Sequence, residues 1–188
     1  MKWREIKMTL VIGYGNELRG DDAVGPRVVA AVNAWNLDGV IAQVVPQLTP
    51  ELAEPISHAP LAVCVDAAAA PSAEEVQITR LDPSASSDLN THLGDPRALL
   101  ALSRALYGRC PTAWLITIPT LGFDFGAPLS ARADRGVRTA LAAIKELSRR
   151  RRAHTRPYHR GGAAWKSWKY LSRNSFSEER LVRQRSTV

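Results

Sequence analysis

Short apolar runs alternate with stretches of helical periodicity over the first 150 residues of the chain. Four runs have the length of buried strands and are followed by glycine, aspartate or proline, which predicts strands at Met8–Tyr14, Val40–Val45, Leu61–Val65 and Ala113–Ile118. Glu75–Leu81 alternates instead between apolar and polar residues, which is typical of a half-exposed edge strand.

Helices are predicted between these strands. The first begins at Asp21 and Asp22, because acidic side chains favour a helix N-terminus. The other helices are predicted at Pro50–Ile56, capped by Thr49; at Thr91–Leu106, with Leu99, Leu102 and Leu106 on one face; and at Ser130–Ser148. This alternation predicts an α/β fold, a three-layer αβα sandwich around a twisted, mainly parallel sheet of about five strands.

Length and composition favour one domain. A chain of 188 residues with 45% hydrophobic content fills a single core, which we place at residues 1–150. No apolar run approaches the roughly 20 residues of a membrane span, and the N-terminal apolar stretch leads into a glycine turn without a cleavage site. The two cysteines, Cys64 and Cys110, have no metal-pair spacing and suit a reducing compartment. We therefore expect a cytoplasmic protein that does not bind membranes.

The net charge of +7 is unevenly distributed. From Arg149 onward there are 12 Lys and Arg against two acidic residues, whereas residues 1–148 hold 13 basic and 16 acidic groups. Residues 151–188 lack a helical or strand period and predict a disordered basic tail. Trp165, Trp168 and Tyr170 alternate there with Lys and Arg, which leaves a nucleic-acid or anionic-surface contact as the less favoured alternative.

Three polar residues break the apolar pattern near one end of the predicted sheet. Asp22 follows the first strand, Asp66 follows the third, and His92 lies at the start of the helix predicted from Thr91. Two carboxylates and an imidazole leave coordination positions open, and this mixed donor set suits divalent ions such as nickel or zinc. Asp22 and His92 also have ordinary roles: Asp22, or equally Asp21, as a helix cap, and His92 as a surface or capping residue.

The glycine-rich segment after the first strand suggests a dinucleotide-binding turn as an alternative. The G-x-G-x-x-G spacing fails, because its third glycine would fall on Leu18. Asp21 and Asp22 would also place two negative charges beside the pyrophosphate. Nucleotide binding by this turn is therefore disfavoured.

The segment V-I-G-Y-G-N-E-L-R-G-D-D-A-V-G-P resembles the opening motif of the hydrogenase maturation endopeptidases. The matching positions are Gly13, Gly15, Asn16, Leu18, Asp21, Asp22 and Gly25. The similarity continues in order through Val65–Ala67, His92 and the segment I-P-T-L-G-F-D-F-G-A-P-L-S, and it covers about residues 8–148. Ala23 stands where many relatives have glycine, and P-Q-L-T-P-E-L-A replaces a paired-glycine motif. The Q-L-T-P-E-L stretch resembles the branch that serves bidirectional, NAD-reducing hydrogenases.

This resemblance implies a protease that removes a C-terminal peptide from the precursor of a nickel-iron hydrogenase large subunit. It also implies that Asp22, Asp66 and His92 bind nickel, with Gly13, Gly15, Asn16, Asp21 and Gly25 forming the supporting loop. In such proteases the nickel belongs to the substrate, so the isolated protein is expected to lack it or to hold another divalent ion.

The sequence offers no serine or cysteine nucleophile with a paired base, and we assign none. The expected partner is the nickel-loaded precursor, and nucleic acid is not expected. A non-catalytic nickel-handling or assembly factor with the same fold is the alternative.

Overall fold

In a computed structural model of the chain, the described residues are 8–69, 75–83 and 94–154. Five strands form one sheet in the order β2-β1-β3-β5-β4. The first four of these run parallel, and β4 pairs with β5 in the antiparallel sense. The strands are β1 Thr9–Tyr14, β2 Val40–Val45, β3 Leu61–Ala68, β4 Gln77–Leu81 and β5 Thr112–Pro119. The predicted mainly parallel sheet of five strands is confirmed, and so is the edge position of the fourth strand, which the structure shows to be antiparallel.

Four α-helices connect and cover the strands. Their bounds are α1 Val24–Ala34, α2 Ala53–His58, α3 Pro96–Tyr107 and α4 Ala131–His154. Short 3-10 turns precede the first two helices, at Gly20–Ala23 and Pro50–Leu52. None of the described helices is long and apolar enough to cross a membrane.

The two faces of the sheet carry separate apolar cores because successive side chains of a strand point in opposite directions. Val11, Val63 and Ile116 belong to the core that α1 and α4 cover. Leu10 and Ile12 belong to the opposite core, which α2 and α3 cover. The result is the predicted three-layer αβα sandwich, with both faces of the sheet buried.

Three local predictions are wrong. The third strand does not end at Val65 but continues through Asp66 to Ala68, because it keeps pairing with β5 as far as Pro119. Thr49 is extended and makes no side-chain cap. The third helix does not begin near Thr91, since Pro96 is its first residue and the Asp95 carboxylate caps it by accepting a hydrogen bond from the Arg97 amide at 2.8 Å.

The predicted apolar face of the third helix also needs correction. Leu99 is buried, but Leu106 is 64% exposed. The buried face consists instead of Pro96, Leu99, Leu100 and Ser103. Residues 104–107 are exposed, so the helix packs through the part that precedes them.

The last helix extends six residues beyond the predicted end at Ser148 and reaches His154. The chain divides into two units, residues 1–154 and 155–188. The predicted basic tail with Trp165, Trp168 and Tyr170 lies, apart from the end of α4, outside the described residues.

Candidate functional site

A three-residue segment at the end of β1, Tyr14–Asn16, contacts two carboxylates that are 44 positions apart in the sequence. The Tyr14 hydroxyl donates a hydrogen bond to Asp66. The Asn16 amide donates to Oδ2 of Asp22 at 2.8 Å. Asp22 and Asp66, which sequence reasoning selected separately, therefore lie at the same carboxyl edge of the parallel strands.

The strand register explains how Tyr14 reaches Asp66. Gly13 of β1 pairs with Val65 of β3, so the next residues along the two parallel strands are Tyr14 and Asp66. Parallel partners point to the same face of a sheet. Tyr14 packs against the core beneath α2 and α3, and Asp66 continues the same face beyond the buried Cys64.

Three glycines of the predicted supporting loop allow the backbone to approach Asp22 closely. A Cβ on Gly13 would lie 2.3 Å from the Gly25 carbonyl oxygen, and a Cβ on Gly25 would lie 2.4 Å from the Tyr14 carbonyl oxygen. Gly15 has φ +130°, and a Cβ there would lie 2.2 Å from the Asp22 carbonyl oxygen. The glycines are therefore needed for β1, the following loop and the start of α1 to meet at Asp22.

The two carboxylates influence each other electrostatically. Burial raises the pKa of Asp66, and the negative charge of Asp22 raises it further. Hydrogen bonds from Tyr14 and the Ala67 amide lower this pKa but do not cancel the rise. Burial, followed by the charge of Asp66, also raises the pKa of Tyr14 far above its usual range, so its hydroxyl stays protonated. A pair of acidic groups that repel each other in a half-buried position is stabilised by a bound cation.

Asp21 differs from its neighbour, because its side chain is only 2% exposed and accepts three hydrogen bonds from the loop between β5 and α4. The donors are the Leu121 amide at 2.8 Å, the Ser130 amide at 2.6 Å and the Ser130 hydroxyl at 2.8 Å. Burial opposes the charge of Asp21, but these donors outweigh it and lower the pKa of the carboxyl group. Asp21 therefore holds two loops together.

The helix-cap role considered for Asp21 and Asp22 is wrong. Neither the 3-10 turn at Gly20–Ala23 nor α1 has a side-chain cap. The capping residue that Asp21 does support is Ser130, whose hydroxyl oxygen accepts a hydrogen bond from the Ala133 amide in the first turn of α4.

The third predicted ligand, His92, lies outside the described residues. Over residues 8–69, 75–83 and 94–154, no group of three acidic, histidine or cysteine side chains is placed to hold a metal ion. The described part of the site thus supplies two carboxylates, hard oxygen donors that leave most of the coordination shell of a divalent ion to other ligands.

The two cysteines do not add a nucleophile to this site. Cys64 is buried, and this burial, together with the charge of Asp66, raises its pKa to about 12. Burial also raises the pKa of Cys110. A nucleophilic cysteine needs a lowered thiol pKa. Neither thiol therefore has the lowered pKa of a nucleophile.

Sequence reasoning missed Tyr14 and Ser130. Tyr14 is the last residue of an apolar strand and has no distinguishing local pattern, and its contact with Asp66 depends on β1 being the neighbour of β3. Ser130 lies 109 positions from Asp21. Its place just before an amphipathic helix predicted a helix start, but nothing in the sequence indicated the distant carboxylate.

No protein-family model and no curated protein matches the sequence. Solved structures do match. The hydrogenase maturating endopeptidase HybD from E. coli is 20% identical, with a TM-score of 0.61, over 76% of this chain and 93% of that one. The nickel-iron hydrogenase maturation protease HybD from Thermococcus kodakarensis is 22% identical, with a TM-score of 0.60, over 75% and 99%. The hydrogenase 2 maturation peptidase from Thaumarchaeota archaeon SCGC_AB-539-E09 is 22% identical, with a TM-score of 0.57, over 75% and 97%. The chain therefore has the fold of hydrogenase maturation peptidases.

Proposed function

We propose that this protein is a hydrogenase maturation endopeptidase, which removes a C-terminal peptide from the nickel-loaded precursor of a nickel-iron hydrogenase large subunit. Two independent findings support this activity. The fold is shared with solved hydrogenase maturation peptidases over about three quarters of the chain. The sequence from Gly13 to Gly25 also resembles the opening motif of that family.

The observation that carries the proposal is the convergence of Asp22 and Asp66 on the segment Tyr14–Asn16. Within the described residues, the one hydrogen bond to the Asp22 carboxylate uses Oδ2 and comes from Asn16. The carboxylate therefore keeps acceptor positions for a cation. Asp66 carries a carboxylate whose charge is opposed by burial and by Asp22, which favours a positively charged ligand at the same place.

In this proposal the nickel ion is part of the substrate and serves as a check on its maturation. Asp22 and Asp66, together with His92 from the segment before α3, complete the coordination of nickel held by precursor cysteines. A precursor without nickel leaves the two carboxylates uncompensated and binds weakly. Only a loaded precursor then brings its scissile peptide bond to the carboxyl edge of the sheet. The branch suggested by residues 47–52, which serves NAD-reducing hydrogenases, stays a prediction.

The experiment is cleavage of the purified precursor in its nickel-loaded and nickel-free forms, followed by intact mass. We expect wild-type protein to shorten only the loaded form. Asp22→Asn and Asp66→Asn should each slow cleavage by on the order of 100-fold or more, because asparagine keeps the shape and one acceptor oxygen but removes the charge. His92→Ala tests the third ligand and should have the same effect.

Asp38→Asn is the matched control. This exposed aspartate precedes β2, so it lies at the amino ends of the parallel strands, away from the candidate site at their carboxyl ends. Its substitution should leave cleavage unchanged. Equal cleavage of loaded and nickel-free precursor would contradict the check on nickel. Stable binding of the loaded precursor without any cleavage would favour the non-catalytic assembly factor instead.

A further inference from the structure

Three large apolar side chains are exposed on the two loops that meet at Asp21. Leu18 is 60% exposed in the loop after β1, and Leu121 and Phe125 are 60% and 79% exposed in the loop after β5. We call these three residues the loop platform. Exposing large apolar side chains together is unfavourable in water unless a partner covers them.

Hydrogen bonds between the loops bring the platform residues together. The Gly126 amide donates to the Leu18 carbonyl oxygen at 2.8 Å, and the Asp21 amide donates to the Gly122 carbonyl oxygen at 3.1 Å. The Leu121 amide donates in turn to the buried Asp21 carboxylate. Leu18 is therefore adjacent to the segment that carries Phe125, and Leu121 is fixed beside Asp21.

This bonding means that the platform is ordered before any partner binds. Two loops that were free to move would lose conformational entropy on binding, whereas these loops are already joined by a buried carboxylate with three donors. The apolar contact energy is then available for affinity.

The platform is continuous with the candidate metal site. Leu18 lies two residues after Asn16, whose amide holds Asp22, and its own amide donates to the Asn16 side-chain oxygen at 2.9 Å. The exposed charges around the platform are mixed, with Glu17 and Asp124 beside Arg19. Two carboxylates at its border disfavour an anionic membrane or nucleic acid as the partner.

We propose that the loop platform is the docking surface for an apolar segment of the large-subunit precursor, next to the nickel-bearing part of that substrate. This inference rests on the proposed function and adds to it a second point of contact. The two aspartates test whether nickel is present, and Leu18, Leu121 and Phe125 hold the adjoining polypeptide. The platform binds substrate without taking part in the chemical step.

The experiment measures the dissociation constant for the nickel-loaded precursor and, separately, the KM and kcat of its cleavage, for Leu121→Ser and Phe125→Ser. Both side chains are largely exposed, so the variants should fold normally. We expect Kd and KM to rise about tenfold, with kcat unchanged at saturating precursor, because the contact is made equally before and during the reaction.

Leu106→Ser is the matched control, because Leu106 is 64% exposed and lies near the end of α3. The chain enters β5 soon after this residue, at the amino ends of the parallel strands and away from the platform. It should behave as wild type. Unchanged Kd and KM in both platform variants, with normal wild-type cleavage, would overturn the docking surface and leave the proposed function standing. The wild-type protein could also bind the loaded precursor without cleaving it. Weaker binding by the two platform variants would then support the docking surface, while the missing cleavage would reject the protease.

The remaining outcomes all overturn the docking surface. A wild-type protein that neither binds nor cleaves the loaded precursor rejects the docking surface together with the proposed function. A change in oligomeric state by light scattering in Phe125→Ser, with unchanged precursor affinity, would assign the platform to a second copy of the chain. Faster proteolysis of residues 155–188 in Phe125→Ser, again with unchanged affinity, would assign it to the chain's own C-terminal segment.

Discussion

Asp21 and Asp22 are neighbours in the sequence, yet they occupy opposite environments. Asp21 is buried, accepts three hydrogen bonds and has a lowered pKa. Asp22 is half-buried, and among the described residues it accepts one hydrogen bond, from Asn16, while its charge raises the pKa of Asp66. The first environment satisfies a charge with protein donors, and the second leaves two charges that repel each other.

Two adjacent residues therefore have different roles: Asp21 stabilises the fold, and Asp22 is available to bind a ligand. A carboxylate surrounded by buried donors stabilises the fold and has no capacity left for a ligand. A carboxylate with unfilled acceptor positions beside another acid contributes little to the fold but attracts a cation. The comparison predicts that substitutions around Asp21 reduce stability, whereas substitutions at Asp22 and Asp66 reduce function.

The largest effect on stability is expected from Asp21→Asn. The amide group of asparagine would direct its own donor toward the donors of Leu121 and Ser130, so at least one buried donor loses its acceptor. The free energy of unfolding should fall by about 3–4 kcal/mol in urea denaturation. Asp22→Asn should change it by less than about 0.5 kcal/mol, because the amide oxygen still accepts from Asn16.

The pH dependence of unfolding gives a second measurement on the same pair. Since the folded-state pKa of Asp21 is lowered, its contribution is complete above the unfolded value of about 3.9 and is lost as the pH falls through the folded value. Asp21→Asn should remove this part of the acid sensitivity. Equal stability of Asp21→Asn and Asp22→Asn at neutral pH would show that the two aspartates do not differ in their contribution to the fold.

A smaller effect is expected from Gly15→Ala, which tests how the supporting loop positions Asp22. The new methyl group would lie 2.2 Å from the Asp22 carbonyl oxygen at φ +130°, so the loop must shift. We expect a loss of about 2–3 kcal/mol in stability together with slower precursor cleavage.

Gly126→Ala is the control for Gly15→Ala. Gly126 also has a positive φ, of +73°, but a Cβ there meets nothing within 4 Å. Its substitution should cost only about 1 kcal/mol. Equal losses of stability in Gly15→Ala and Gly126→Ala would show that the positive φ angle alone requires a glycine at position 15. The short distance to the Asp22 carbonyl oxygen would then play no part.

A small effect on stability is also expected from Asp66→Asn in metal-free protein. Because burial and Asp22 raise the folded-state pKa of Asp66, its carboxylate opposes folding above that pKa, and this penalty disappears as the pH falls below the unfolded value of about 3.9. The variant should therefore match or exceed wild type at neutral pH, by less than about 1 kcal/mol, with the difference vanishing in acid. Thermal melts across pH provide the measurement, and a marked loss of stability would place Asp66 with Asp21 as a structural residue.

The sequence predicted most of the fold because its signals are local. Apolar runs located four strands to within a few residues, and the alternating pattern of Glu75–Leu81 located the fifth, the edge strand. The predicted strand ends were less accurate where hydrogen bonding to a neighbouring strand determines the length of a strand. Asp66 interrupts an apolar run, yet β3 continues to Ala68 because β5 supplies hydrogen-bonding partners.

The candidate site shows the same division. Residue types and position selected Asp22 and Asp66, since charged residues after apolar strands are visible in the sequence, and the family resemblance selected the glycines of the supporting loop. These sequence signals could not show that Asp21 is buried among hydrogen-bond donors, because these donors are Ser130 and Leu121, which lie at least 100 positions away. Only the tertiary structure decided which aspartate is buried among donors, because strand order and loop packing determine which distant groups surround each carboxylate.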